Sequence, residues 1–137
     1  MSAELAYTSA TELVRRYRAK QLSPVEVTQA VLARVRETQP DLPTKSGIML
    51  GLGETPDEVR RVMRDLLANG VRMLTLGQYL RPSRAHLPVA EYVDPSVFAR
   101  LARDAYKLGF SAVASAPYVR SSYHAGELAE LKDSANS

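Results

Sequence analysis

Three stretches of the 137-residue sequence hold residues whose types and spacing suit chemistry: Gly51-Leu52-Gly53-Glu54, Gly77-Gln78-Tyr79-Leu80, and Ala116 through Tyr123. In the first, two glycines allow close backbone approach and an acid stands just before a helix start. A phosphate suits this turn poorly. The dinucleotide-binding pattern needs a third glycine where Pro56 stands, no Gly-Lys-Ser/Thr follows, and the Glu54 carboxylate repels anions. A cationic or zwitterionic ligand fits better. The plainer alternative is structural: Glu54 favours the positive N-terminal end of the next helix. On that reading Gly47, Met49 and Gly51 belong to a buried strand whose glycines permit tight packing, and Tyr79 is half-buried with its hydroxyl in water.

Composition removes several chemistries. With no Cys, the sequence has no disulfide, thiolate zinc site, cysteine nucleophile or iron–sulfur cluster held by its own thiolates. His86 and His124 are the only histidines, too few for a zinc site needing three or four protein ligands, so both are expected in exposed loops. Arg81, Arg84 and Arg120 could meet a carboxylate or an acidic partner domain, though a solvated surface arginine is the commoner state. The net charge is +3 and the pI about 9.3. The arginines alternate with acids along helices, so no nucleic acid partner is expected. The longest apolar run is a few residues, far short of the ~20 that span a bilayer. The N-terminus has no apolar h-region, and Glu4 and Glu12 argue against an organelle presequence, so a cytoplasmic protein is expected.

The elements that must position these residues are announced by punctuation. Ser9-Ala10-Thr11-Glu12 reads as a capping box before a first helix, and Ser23-Pro24-Val25-Glu26 repeats the device with Pro24 at the first helical position. The second helix carries Val27, Ala30, Val31 and Val35 as one apolar stripe and should end near Gln39-Pro40. The pair is expected to cover the otherwise exposed apolar face of a sheet, or to offer an interaction surface. From Ser46 to Leu52 runs a short apolar stretch read as a buried strand. Thr55-Pro56-Asp57-Glu58 then caps a helix whose Val59, Val62, Met63, Leu66 and Leu67 face inward and which Asn69-Gly70 stops. Val71 to Gly77 reads as a second strand. A polar connection with Pro82 and Pro88 leads to a helix begun by Asp94-Pro95 and stopped by Gly109. Val97, Phe98, Leu101, Ala105 and Leu108 form its inner face, and Phe110 to Ser115 reads as a third strand.

The same distance separates Pro56 from Pro95 and Gly70 from Gly109, so the β-α-β-α-β run has a weak internal repeat. Such units imply an α/β fold with parallel strands and external helices, suited to part of a (β/α) barrel. Ligands in these folds bind at strand carboxyl ends, where the three chemistry-bearing stretches fall.

Several motifs in order carry a family resemblance. Ser-Gly-Ile-Met-Leu-Gly-Leu-Gly-Glu-Thr begins at Ser46. Met-Leu-Thr-Leu-Gly-Gln-Tyr-Leu-Arg-Pro-Ser, His-Leu-Pro-Val and Val-Arg-Ser-Ser-Tyr-His-Ala follow. From about residue 35 to 125 the chain resembles the C-terminal portion of lipoyl synthase, a radical S-adenosylmethionine enzyme. The resemblance implies a partial (β/α) barrel from an enzyme that inserts two sulfur atoms into an octanoyl chain on the lysine of a lipoyl carrier domain. It also implies S-adenosylmethionine and two [4Fe–4S] clusters, one to make the radical and one to supply sulfur. Gly47, Met49, Gly51 and Glu54 match the family strand that packs against the adenosine. Gln78, Tyr79 and Leu80 match the strand end near the same ligand. Arg120-Ser121-Ser122-Tyr123 matches the motif giving a serine oxygen to the auxiliary cluster, with Ser122 the first choice and Ser121 the alternative.

The departure lies in cysteine. The family holds its clusters with six cysteines upstream of this segment, and this chain has none. Residues 4–39, with Glu-Leu-Ala-Tyr, Ser-Ala-Thr-Glu-Leu and Leu-Ser-Pro-Val-Glu-Val, instead resemble the start of an amidase-signature enzyme, without its catalytic Lys and paired Ser. The expected organisation is a helical hairpin over 1–40, a lipoyl synthase-like part over 41–125 and a polar tail over 126–137. Such a chain is expected to be inactive alone. The alternatives are a residual S-adenosylmethionine-binding module, or a structural fragment that needs a partner chain or self-associates through open sheet edges.

Overall fold

Element ends fall where caps and breakers dictate. A computed structural model of the chain describes residues 3–122 and Gly126, so the expectations for Tyr123, His124, Ala125 and most of the 126–137 tail lie outside the described residues. The chain divides into two units, 1–42 and 43–137.

The first unit is helical: α1 (Ala3–Ala6), α2 (Ala10–Arg18) and α3 (Pro24–Thr38). Ser23 and Glu26 form the full reciprocal box, with Pro24 in the first turn. Ser9 does only half of this. Its hydroxyl accepts from the Glu12 N–H, but the Glu12 carboxylate turns along the helix to Arg15 and Arg16, at 2.6 and 2.7 Å. Two guanidiniums one turn away outcompete a single backbone N–H. The Arg34 guanidinium lies 5.8 Å from the Tyr7 ring centre and its Nε donates to the Tyr7 hydroxyl, joining α1 to α3. The expected stripe on α3 is only partly covered, since Val31 remains 40% exposed and neither α2 nor α3 contains a buried residue.

The second unit runs β1 (Lys45–Leu50), α4 (Pro56–Ala68), β2 (Met73–Gln78), α5 (Pro95–Leu108) and β3 (Ala112–Ser115). The strands form one open parallel sheet in the order β1-β2-β3, with Gly47 opposite Thr75, Met49 opposite Gly77 and Leu76 opposite Ser115. Thr55 and Glu58 make the second full capping box, and Asp94 caps α5 through the Ser96 N–H. Both helices end as expected on glycine. Gly70 (φ +85°) and Gly109 (φ +118°) take the left-handed turn, and the next N–H reaches back five residues, Val71 to Leu66 and Phe110 to Ala105.

Sequential parallel strands with right-handed crossovers put both helices on one face. Arg60 of α4 ties them, its Nε and Nη2 each 2.8 Å from Asp104 of α5. The Ser115 hydroxyl donates to the Phe98 carbonyl, so Ser115, Leu76 and Leu74 share the helix-covered face. There they pack with Phe98, Leu101 and Met63 in a core whose largest members are fully buried. Two expectations of burial differ. Val62 is exposed, and β1 is an edge strand with Gly47 and Met49 open rather than a buried one. No described helix is long and apolar enough to cross a membrane.

The caps make the helices acid-sensitive. Arg15 and Arg16 hold Glu12 at about 2. The N–H groups and hydroxyls of Ser23 and Thr55 keep Glu26 and Glu58 below the usual carboxylate value, and the hydroxyl and N–H of Ser96 do the same for Asp94. Each depressed value means the unfolded chain binds the proton more readily. The stabilisation is therefore complete above the ordinary carboxylate range and drains away as pH falls through the folded values. Helical circular dichroism should decline between about pH 5 and pH 2, and the Glu12→Gln variant should lose part of the lowest step. A helical signal flat to pH 2 contradicts this.

Candidate functional site

The carboxyl ends of β1 and β2 bring together most of the residues singled out in the sequence. Beyond Leu50 the chain turns through Gly51 (φ +104°) and Gly53 (φ +108°), a path L side chains rarely follow. Glu54 closes the turn on itself: its carboxylate accepts from the Gly51 N–H at 2.6 Å and the Leu52 N–H at 3.0 Å. Gln78, the last residue of β2, is buried and entirely engaged. Its Nε2 donates to the Tyr79 and Glu91 carbonyls, both at 3.0 Å, and its Oε1 accepts from the Val93 N–H at 2.9 Å. With one N–H donor opposite one end and two carbonyls opposite the other, the network itself fixes the amide orientation.

These bonds hang the long β2–α5 connection from the strand end. Ala90 and Glu91 donate to the Gly51 carbonyl, the Tyr79 N–H donates to the Leu50 carbonyl, and the Tyr79 hydroxyl donates to the Leu87 carbonyl at 2.9 Å. Arg81 braces the tip by donating to the His86 and Arg84 carbonyls, and Ser83 Oγ lies 2.8 Å from His86 Nδ1. His86 is exposed, as expected, while Arg81 serves its own loop. The polar atoms at this strand end are thus turned inward. What faces outward is largely apolar: Met49, Leu52 and Leu80 are 37%, 44% and 47% exposed.

The third stretch goes elsewhere. After β3 the chain doubles back across the sheet face opposite the helices. The Gln78 N–H donates to the Pro117 carbonyl, Val119 is buried, and the Lys45 ammonium donates to the Ser121 carbonyl. A Cβ on Gly77 would sit 2.1 Å from the Val119 carbonyl oxygen, and one on Gly47 would approach Thr75 Oγ1 and Ser121 Cβ. The two strand glycines make room for this return segment. Arg120 donates to the Pro117 and Val119 carbonyls and so shapes the turn. Ser121 lies beside Gly47 and Ser122 is exposed next to it, so the serine pair sits over the middle of β1 and not at the Gly51–Glu54 turn. Sequence reasoning missed the roles of Gly77 and Arg120. A glycine inside an apolar strand was the available signal for a close backbone approach.

The residues present do not fit an iron–sulfur cluster. There is no cysteine, and among the described residues no group of three or more His, Cys, Asp or Glu side chains converges. The Gly51 and Leu52 N–H groups already hold the Glu54 carboxylate and are not offered to an anion.

An open three-stranded parallel sheet of βα units is consistent with part of a larger β/α fold. No protein-family model matches the chain. Over 101 residues, 74% of the chain, it is 62% identical to the lipoyl synthase of Methylococcus capsulatus, covering 31% of that protein. Over 101 residues it is 57% identical to the lipoyl synthase of Pseudomonas fluorescens, covering 30% of it, and over 95 residues 61% identical to that of Syntrophotalea carbinolica, covering 31%. The matched stretch is thus similar to part of several lipoyl synthases. The chain spans less than a third of the length of these relatives.

Proposed function

We propose that this chain is a lipoyl synthase-like segment that keeps the nucleoside-facing strand ends of its family without the means to run the reaction. Absence of cysteine carries this reading. Clusters of the family type are held by thiolates, and without them nothing in this chain cleaves S-adenosylmethionine or gives up sulfur to an octanoyl chain on a lipoyl carrier domain. Residues 41–125 form the lipoyl synthase-like part, residues 1–40 an amidase-like head and 126–137 a polar tail. A cytoplasmic setting belongs to the same proposal.

At the strand ends, Met49, Gly51 and Leu80 offer an apolar ledge for an adenine ring, with Gly47 further back in β1 beside Ser121. Glu54, Gln78 and Tyr79 act one step back, holding the turn and the loop that frame it. Ser122 is a vestigial ligand position, exposed and without thiolate companions.

Two measurements test this. Anaerobic reconstitution with iron and sulfide should leave the protein without broad visible cluster absorbance, and a stoichiometric cluster overturns the inactive reading. Calorimetry with S-adenosylmethionine should show weak binding. Glu54→Ala, which frees the Gly51 and Leu52 N–H groups and loosens the turn, should weaken it further. Binding indifferent to Glu54→Ala removes the strand ends from the proposal.

A further inference from the structure

The sheet has two edges, and they are finished differently. In a parallel strand, alternate residues turn their backbone groups toward opposite neighbours. On β1 and its start, the Thr44 carbonyl accepts from the Met73 N–H and the Leu50 carbonyl from the Tyr79 N–H. Ser46 and Ile48, of the same parity, therefore also face β2. Lys45, Gly47 and Met49 turn their N–H and C=O groups outward, and among the described residues no hydrogen bond engages them. One step further the edge closes, because both backbone groups of Gly51 are taken by Glu54, Ala90 and Glu91.

The opposite edge is blunted. On β3 the outward N–H of Val113 donates to the Tyr106 hydroxyl at 3.1 Å, and that hydroxyl reaches the Val113 carbonyl at 3.4 Å. A phenol from α5 thus takes the place a neighbouring strand would fill. Edge strands are normally protected by such plugs, by proline, or by outward charge. β1 has no proline, and its one charge, Lys45, is committed to the Ser121 carbonyl.

We infer that the outer edge of β1 pairs with β1 of a second copy of this chain, antiparallel, with Gly47 on the twofold axis. In an antiparallel ladder, residues that face each other with both backbone groups exchange two hydrogen bonds. The outward residues are spaced evenly about Gly47. One register therefore pairs Lys45 with Met49 of the second copy, Gly47 with Gly47, and Met49 with Lys45, and every outward group is bonded. This register sets lysine beside methionine and never beside lysine. The contact is self-complementary and closes after two copies, leaving no further open edge on β1.

Sedimentation velocity of the full chain from low to high micromolar concentration should show a reversible monomer–dimer equilibrium. Amide exchange at Gly47 and Met49 should slow as the dimer fills, while Val113 stays unchanged. Met49→Lys sets a lysine against Lys45 in both outer pairs and should weaken the dimer about tenfold. Met49→Glu supplies a carboxylate there and should tighten it by a similar factor. Circular dichroism confirms that each variant is folded, and the exchange measurement decides alone if one is not. A monomer at every concentration overturns the inference. So does a dimer insensitive to both substitutions, or one whose Gly47 and Met49 amides exchange as fast as in the monomer.

Discussion

Gly77→Ala costs the second unit about 3 kcal/mol and strips the return segment from the sheet. The added Cβ lands 2.1 Å from the Val119 carbonyl oxygen, with Arg120 Nη1 at 3.2 Å. The side-chain contact can swing away, but the carbonyl is main chain and moves only with its neighbours. Those neighbours are pinned on both sides, by the Gln78 N–H on the Pro117 carbonyl and by Lys45 on the Ser121 carbonyl. The methyl group therefore either strains this segment or expels it. Chemical denaturation gives the first effect, and faster exchange of the Gln78 amide gives the second. Gly109→Ala is the comparison: it meets nothing within 4 Å and should cost only the left-handed backbone penalty of about 1 kcal/mol. Equal losses for the two variants would falsify the close-approach argument.

Gln78→Leu is the second large loss, about 2–4 kcal/mol, because it strands groups that cannot reach water where they stand. The Val93 N–H and the Glu91 and Tyr79 carbonyls all lose their partner. The loop they anchor should come loose, so trypsin should cut after Arg84 faster than in the parent chain. Gln78→Glu separates shape from hydrogen bonding. Its ionised carboxylate can still accept from Val93 but opposes two carbonyl oxygens. It should be destabilised at neutral pH and partly recover once the carboxyl is protonated in mild acid. Parent-like proteolysis of Gln78→Leu would show that the loop is held by something else.

The punctuation of the chain was readable because its signals are local. Thr55-Pro56-Asp57-Glu58 and Ser23-Pro24-Val25-Glu26 each contain both halves of a cap within four residues, and both capping boxes formed. Gly70 and Gly109 stop their helices for a reason intrinsic to glycine, and the parallel order followed from the repeated βα units. Ser9 shows the limit even of a local signal, since the same Glu12 also has arginines three and four residues away.

What escaped the sequence depends on partners far along the chain. Gln78 looks like a polar group offered to a ligand until Glu91 and Val93 come back to meet it. Gly77 looks like a weak point in a strand until Val119 crosses over it. The short apolar run of β1 reads as a buried strand, because such a run says nothing about which neighbours pair with it. Similarity to lipoyl synthases, by contrast, was legible directly from consecutive motifs and matches the relatives found.

The β2–α5 connection is knotted to the strand ends at Tyr79, Ala90, Glu91 and Val93, yet residues 81–88 between these ties are exposed. Its span is fixed by the knots and not by its own contour. Extra residues introduced near Ser83 would lengthen a closed loop whose entropy cost rises only about 0.6 kcal/mol per doubling. The fold therefore carries a graft point where a tag or a foreign peptide can be displayed away from sheet and core, at the expense of the Arg81–His86 brace of the loop tip.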